Sequence, residues 1–313
     1  MTCKNICVLG GGGFVGSHLV PLLAARGLHV VVPTRRRARI KHLLVLPGVE
    51  VVEADIHDPA ALQSLFTGMD AVINLVGILH ETGPGGFQHA HVELPRKVVA
   101  ACLASGVPRL LHMSALGADA ASKSRYQQSK SAGEALVRAA QGIHTTVFRP
   151  SVIFGPGDSF LTMFANLLQL APVVPLAGAG ARFQPVFVGD VARAFAAALE
   201  RPETFGQWYD LCGPGVYTLA ELLRLTAATL GLRRRVLPLG ETASYWFARL
   251  MELKPGSKIM TRDNHYAMQS DNVCPPGCVQ PFGEPTPLES VIGYLREAGP
   301  RRAYMDYRTH ARR

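Results

Sequence analysis

Cys7-Val8-Leu9-Gly10-Gly11-Gly12-Gly13-Phe14-Val15-Gly16 closes the apolar run Asn5–Leu9 and opens a helical stretch over residues 15–26. It fits two glycine registers at once, one at 10, 13 and 16 and the other at 11, 13 and 16. The early glycines allow a tight turn that brings backbone N–H groups against a pyrophosphate. Gly16 lets the helix pack close to the strand, and the helix start at Phe14 and Val15 adds partial positive charge. A glycine pattern alone is weak evidence. Placed between a strand and a helix, it reads as a dinucleotide loop. Pro21 falls inside this first helix, where its missing donor should bend or loosen a turn.

Outward from the loop, short apolar runs alternate with helical ones up to about residue 150. The strand candidates are Asn5–Leu9, Leu28–Val32, Val49–Glu53, Ala71–Val76, Arg109–Met113 and Thr145–Phe148. Helical stretches fall near 60–67, 87–104 and 127–140. Strands that are apolar on both faces and alternate with helices predict an α/β protein with a doubly wound parallel sheet, the Rossmann fold. After Pro150 the texture becomes turn-rich, as in Phe154-Gly155-Pro156-Gly157-Asp158 and Cys212-Gly213-Pro214-Gly215. Phe183–Val188 followed by Asp190–Leu199 reads as strand then helix and is expected to return to the first sheet. The expected division is residues 1–150 and 184–211 for the nucleotide domain, and 151–183 and 212–313 for a smaller substrate or lid domain.

Composition narrows the class. The 313 residues are 48% hydrophobic and 18% charged, which excludes disordered, collagen-like and coiled-coil proteins. No apolar run approaches the ~18–20 residues of a membrane span. Met1–Asn5 lacks signal-peptide regions, so a cytoplasmic protein is expected. Cys3, Cys7, Cys102, Cys212, Cys274 and Cys278 are scattered and read as incidental thiols. The Cys274/Cys278 pair has only His265 nearby as a further ligand, so no metal site is expected. Only 7 of the 32 basic residues are lysine, and the arginines cluster at Arg35–Arg39 and Arg301–Arg313. Without aromatic stacking motifs beside them, these clusters do not point to nucleic acid.

Cofactor choice is read at the end of the second strand, about 20 residues past the glycines. There the chain runs Val30-Val31-Val32-Pro33-Thr34-Arg35-Arg36 and lacks the acid that would hold ribose hydroxyls. Arg35 and Arg36 can pair with a 2′-phosphate, which favours NADP(H) over NAD(H). The other reading is a basic helix start facing solvent.

Tyr126-Gln127-Gln128-Ser129-Lys130 places a phenol and an ammonium on one helical face. With 8 Tyr and 7 Lys, chance gives about 0.2 such spacings, so position matters more than the motif. Ser114 lies twelve residues earlier, at the end of the fifth strand, where open α/β sheets bind ligands. A nearby ammonium lowers the phenol's pKa, which makes Tyr126 a usable proton donor or acceptor. Ser114 can hydrogen-bond the reacting oxygen.

With these features in order, the chain resembles the extended and atypical short-chain dehydrogenase/reductases, a group related to the NAD-dependent epimerases and dehydratases. Within that group it is similar to the accessory NAD(P)-binding subunits of respiratory complex I and their bacterial relatives. The residues carrying the likeness are Ser124-Arg125-Tyr126, Ser129-Lys130, Gly133-Glu134, Arg149–Gly155, Gln184–Val188, Asp271-Asn272-Val273 and Pro281-Phe282-Gly283. The resemblance implies that Gly10, Gly13 and Gly16 hold pyrophosphate, and that Arg35 and Arg36 hold the adenosine phosphate. It further implies that Asp55 and Ile56 approach the adenine and that Leu75, Val76 and Gly77 line the nicotinamide ribose. Tyr126 and Lys130 would contact that ribose as well as act in catalysis. Pro150, Ser151, Val152 and Ile153 would touch the nicotinamide amide.

Where extended members place an Asn near Gln88, this chain has His91. His91 reads either as a satisfied packing residue or as a proton relay. Residues 241–268, with Tyr245-Trp246-Phe247, Leu250, Met251, Lys254, Lys258 and Arg262, read either as lid-helix packing or as a membrane-surface contact. Two functions stay open. One is an enzyme that transfers hydride between a nicotinamide and the carbonyl or secondary alcohol of an unidentified small molecule, with reduction and sugar-nucleotide epimerisation or dehydration both open. The other is a non-catalytic NADPH-binding protein of a respiratory assembly, peripheral to the inner face of a membrane.

Overall fold

The computed structural model describes residues 3–81, 83, 85–252 and 261–297. The cluster Arg301–Arg313, Lys254 and Lys258 lie outside them. The chain divides into two compact units. The first runs up to Pro150 and includes Val188–Leu211 and Cys274–Glu284; the second holds Ser151–Phe187, Cys212–Val273 and the described residues from Pro285 on.

The first unit is built on seven strands: β1 (Asn5–Leu9), β2 (His29–Thr34), β3 (Val49–Glu53), β4 (Ala71–Asn74), β5 (Arg109–Met113), β6 (His144–Pro150) and β7 (Gln207–Leu211). They lie in the order β7-β6-β5-β4-β1-β2-β3, and neighbours are parallel throughout. Helices α1 (Phe14–Ala25), α2 (Pro59–Phe66), α3 (Leu94–Ala104), α4 (Arg125–Arg138) and α5 (Val188–Ala198) make the crossovers. Side chains alternate along each strand, so both faces of the sheet need cover. Cys7, Leu9, Val72 and Leu110 join Leu62, Phe66, Val98 and Val137 in one buried cluster under α2, α3 and α4. On the other face α1 packs against α5, and Arg26 Nη1 donates to the Ala196 carbonyl at 2.6 Å. Pro21 sits inside α1, which runs unbroken past it.

Two sequence expectations change here. Phe183–Val188 does not rejoin the sheet. Arg182–Phe183 and Val186–Phe187 are short strands of separate two-stranded pairs in the second unit, and the strand that returns is β7. Its entry is held by Arg109, a fully buried arginine at the start of β5. The guanidinium donates to the carbonyls of His144, Ala198 and Leu199 and to the hydroxyls of Thr146 and Thr204. Burial lowers its pKa to about 10. Such a network joins residues far apart in the chain and leaves no local pattern to read.

The single helix expected over residues 87–104 is instead a turn at Gly86–Gln88, a π-helical turn at His89–Glu93, and then α3. Pro95 has no N–H to give the His91 carbonyl and its ring crowds that oxygen, so the winding widens there. The carbonyl set apart in this way meets α4 at Gly133, where any Cβ would overlap it.

Within the second unit, Phe154, Leu161, Phe164, Leu222, Leu223 and Leu288 share one buried core. Helix Leu219–Thr229 opens on a capping box formed by Thr218 and Glu221. In the helix Glu241–Glu252, Phe247 and Met251 pack with Ala177, Leu239 and Met268, which is the packing reading of that stretch. Trp246 and Leu250 on the same helix are 58% and 60% exposed. No helix among the described residues is long and apolar enough to cross a membrane. Cys212 and Cys274 are not free thiols, contrary to the reading of six incidental thiols. The remaining four cysteines are free.

The Gly133 contact gives a direct test. Gly133→Ala forces a methyl into the His91 carbonyl and should destabilise the protein by more than about 3 kcal/mol in urea unfolding. Gly240→Ala, whose added methyl meets nothing within 4 Å, should stay within about 0.5 kcal/mol of wild type. Equal effects would contradict the packing.

Candidate dinucleotide and catalytic site

Chain order reverses between β1 and β4, and ligands in open α/β sheets bind beyond the strand ends at such a point. The glycine loop is there. Gly10 has φ +78°, a conformation that favours glycine, and a Cβ on it would lie 3.2 Å from the Leu75 carbonyl carbon. A Cβ at Gly16 would overlap the Gly11 backbone, and one at Gly12 would overlap Ile40 Cγ2. Gly13 is the N-cap of α1 and supplies no side-chain cap, and the first turn, from Phe14 and Val15, carries no acid. The helix start therefore keeps backbone donors and positive potential for an anion, in a cradle that side chains would fill.

At the adjoining strand ends, Arg35 and Arg36 are exposed. Thr34 Oγ1 accepts from the Arg36 amide at 3.3 Å. Glu53 Oε1 accepts from the Arg37 amide at 2.9 Å, so β3 brings an acid beside the arginines that the β2 sequence lacks. Asp55 Oδ1 caps the His57 amide at 3.0 Å, and Ile56 packs on the core cluster. The His57 ring stacks on His89 at 4.0 Å, and its buried Nδ1 has no hydrogen-bond partner. Burial, followed by the neighbouring His89, lowers the His57 pKa. Local spacing carried no signal for Glu53 or His57.

The catalytic candidates converge around the ends of β4 and β5. Leu75 donates its amide to the Leu9 carbonyl, and Val76 donates to Asn74 Oδ1. Ser124 N-caps α4 by accepting from the Gln127 amide, so the helix starts just ahead of Tyr126. Lys130, one turn on, is 4% exposed, and its Nζ donates to the Met113 carbonyl at 3.2 Å. A Cβ at Gly77 would stand 3.0 Å from that Nζ, so glycine makes room for the ammonium. Ser114 follows Met113 and is 2% exposed; its amide donates to the Phe148 carbonyl, and its Oγ has no partner. A buried hydroxyl without a partner is costly and is satisfied when a ligand oxygen arrives.

His91 joins this group. Its ring lies 5.5 Å from that of Tyr126 and stacks on Phe87. Nε2 accepts from the Ile78 amide at 3.0 Å, which assigns the proton to Nδ1. Nδ1 then donates to Ser129 Oγ at 2.9 Å, and Ser129 donates to the Tyr126 carbonyl at 2.8 Å. Both nitrogens are spent on positioning, which is the packing reading of this histidine. Burial and then the Lys130 charge push its pKa down to about 3. His112 behind it is likewise held to about 3, chiefly by burial. Farther along α4, the buried Glu134 carboxylate is gripped by Arg149 Nε at 2.9 and 3.0 Å, which fixes the helix to β6.

The structure thus brings Gly10 to Leu75 and Val76, and it brings Gly77, His91, Ser129 and Tyr126 together around Lys130, beside Met113 and Ser114. Pro150 ends β6 and accepts from the Leu116 amide. Ser151, Val152 and Ile153 belong to the second unit, where Asn272 Oδ1 accepts from the Ser151 hydroxyl at 2.6 Å and from the Val152 amide at 3.1 Å.

Comparison with known proteins agrees with this geometry. The sequence pattern of the NAD dependent epimerase/dehydratase family matches residues 6–212. The chain is 32% identical to "NADH dehydrogenase [ubiquinone] 1 alpha subcomplex subunit 9, mitochondrial" of Mus musculus, over 90% of this chain and 77% of that protein. It is also 32% identical to "Ceramide reductase" of Caulobacter vibrioides, over 75% of this chain and 73% of that one. Among solved structures, a nucleoside-diphosphate-sugar epimerase from Staphylococcus aureus superposes with a TM-score of 0.73 at 20% identity, covering 94% of this chain and all of that one (100%). A dTDP-glucose 4,6-dehydratase from Streptomyces venezuelae, solved with NAD, superposes at 0.66 and 23% identity, covering 76% and 85%.

Burial lowers the Lys130 pKa from the ordinary lysine value to about 8. The ammonium is penalised in the folded state, so below pH 8 it costs the fold roughly 3 kcal/mol. Between pH 8 and about 10.5 the unfolded chain binds the extra proton, so this group's contribution to stability rises with pH there, against the opposite contribution of buried thiols such as Cys7 and Cys102. Urea unfolding of wild type and Lys130→Met from pH 7 to 10 checks this. The stability of wild type relative to the variant should rise across this range, and a difference that stays constant with pH would refute the assignment.

Proposed function

The chain belongs to the NAD dependent epimerase/dehydratase family, and from that premise we propose that it is an NADP(H)-dependent oxidoreductase. The reaction interconverts a carbonyl and a secondary alcohol. The carrying observation is the buried Ser114 hydroxyl without a partner, next to the residue whose carbonyl receives Lys130. Backbone N–H groups from Gly10 to Gly16, including Phe14 and Val15, hold the pyrophosphate. Arg35 and Arg36 pair with the 2′-phosphate, Asp55 and Ile56 border the adenine, and Leu75, Val76, Gly77 and Pro150 border the nicotinamide end. The bound nicotinamide supplies or accepts the hydride. Tyr126 gives its phenolic proton to the substrate oxygen in reduction and takes it back in oxidation. Ser114 donates a hydrogen bond to that same oxygen. The Lys130 ammonium binds the ribose and favours the phenolate form of Tyr126. His91 keeps the π-turn and α4 in register and moves no proton.

A second reading is supported by the likeness to the mouse subunit across 90% of this chain. In it the nucleotide stabilises a subunit of a respiratory assembly and is not turned over.

One measurement tests the cofactor preference, and turnover and complementation separate the two readings. NADPH should bind about 10–100-fold tighter than NADH, and Arg35→Ala/Arg36→Ala should erase the difference. Equal wild-type affinities would refute the cofactor preference. Tyr126→Phe should lower NADPH oxidation against a panel of aldehydes and ketones by ~10²–10⁴ while leaving NADPH affinity within a few-fold. Ser114→Ala should also slow turnover yet melt no lower than wild type, since the lost hydroxyl had no partner. If no carbonyl is reduced and Tyr126→Phe complements fully in cells, the structural reading replaces the enzymatic one.

A further inference from the structure

The second unit contains a cavity of about 310 Å³ that the proposed redox reaction does not use. We propose that it is a binding site for an uncharged alkyl or acyl chain. Its walls are Pro238, Leu239 and Met268, closed on one side by the turn Gly178-Ala179-Gly180-Ala181. Four small residues in a row leave the space open. Gly178 has φ +64°, and a Cβ there would press on Met268 Sδ and Cε at 3.1 Å, so this wall cannot carry a larger residue without moving Met268. The volume falls at the lower end of the ~300–1,000 Å³ typical of small-molecule sites.

Charge decides the ligand class. No lysine or arginine is among the described residues lining the cavity, and the one formal charge there is the Glu241 carboxylate. Among the described lining residues, a phosphate or carboxylate would meet the Glu241 carboxylate and no partner cation. The Ser244 hydroxyl is already spent on the Leu239 carbonyl at 3.3 Å. His265 and Gln269 leave polar capacity for a single uncharged head, a hydroxyl or an amide. Thioether and aliphatic walls suit a flexible hydrocarbon, because Met repacks around irregular shapes.

Calorimetric titration of the full chain with 1-hexanol, 1-octanol and 1-decanol tests this, with uridine diphosphate as the charged probe. Affinity should rise about fourfold per methylene until the cavity fills, then level off. Gly180→Phe should cut alkanol affinity at least tenfold without lowering the melting temperature. Position 180 lines the cavity and has no positive φ, and a Cβ there meets nothing within 4 Å, so the substitution brings no backbone strain or clash. Met268→Ala should move the levelling-off to a longer chain. Tyr126→Phe should leave alkanol binding unchanged, so the cavity and the redox reading fail separately. The proposal is overturned by no saturable alkanol binding, by affinity independent of chain length, by wild-type affinity in Gly180→Phe, or by uridine diphosphate binding that Gly180→Phe removes.

Discussion

Helix α1 begins where the loop after β1 turns back on itself, and at Gly16 the helix lies directly on the Gly11 backbone. A single methyl there would push α1 away from the sheet. It would also carry off the helix N-terminus, with the N–H groups proposed to hold an anion, and loosen the α1–α5 packing that holds the returning part of the chain. Gly10 applies the same constraint on the other side, against Leu75 at the end of β4. The two contacts fix the glycine loop against the ends of β1 and β4. Backbone-on-backbone packing is unforgiving because neither side has a rotamer to change.

Charge in the first unit is arranged around one buried ammonium. Lys130 sits in a site where His91 and His112 are both kept neutral, so it does not compete with a second cation. Its Nζ is held by a carbonyl and not by a carboxylate, which leaves its field available to whatever binds beside Gly77. The cost falls at neutral pH, where the ammonium stays charged in a buried site. Strain of this sort belongs at a functional centre. Arg109 shows the contrasting arrangement, since its guanidinium is surrounded by carbonyls and hydroxyls and so anchors the entry to β7.

The second unit has a different character. Its cavity is lined by small residues, a thioether and a few polar groups, with no lysine or arginine among the described lining residues. Its outward helix keeps Phe247 and Met251 for packing while exposing Trp246 and Leu250. The two units thus present different groups, backbone N–H donors at the glycine loop in one and a cavity of small, apolar and a few polar side chains in the other. The family likeness extends over residues 6–212, and the chamber is partly built from residues beyond that range.

Local pattern determined much of this protein. Period and composition located six of the seven sheet strands, because parallel strands covered on both faces must be apolar along their length. The glycine spacing marked the loop, and Tyr126, Lys130 and Ser114 were marked by their places on a helix face and a strand end. Strand β7 was beyond reach, since Gln207–Leu211 is an edge strand with exposed positions and is held in place by Arg109 nearly a hundred residues away. The π-turn at His89–Glu93 depends on Gly133 accepting the carbonyl that Pro95 frees, and the His91 tautomer depends on Ile78 and Ser129. Glu53 reached the arginines only through the pairing of β3 with β2. Residue type and short-range spacing fix which chemistry is available to a chain. Which groups are spent on one another, and which are left for a ligand, is decided by contacts between distant segments once water has been excluded from between them.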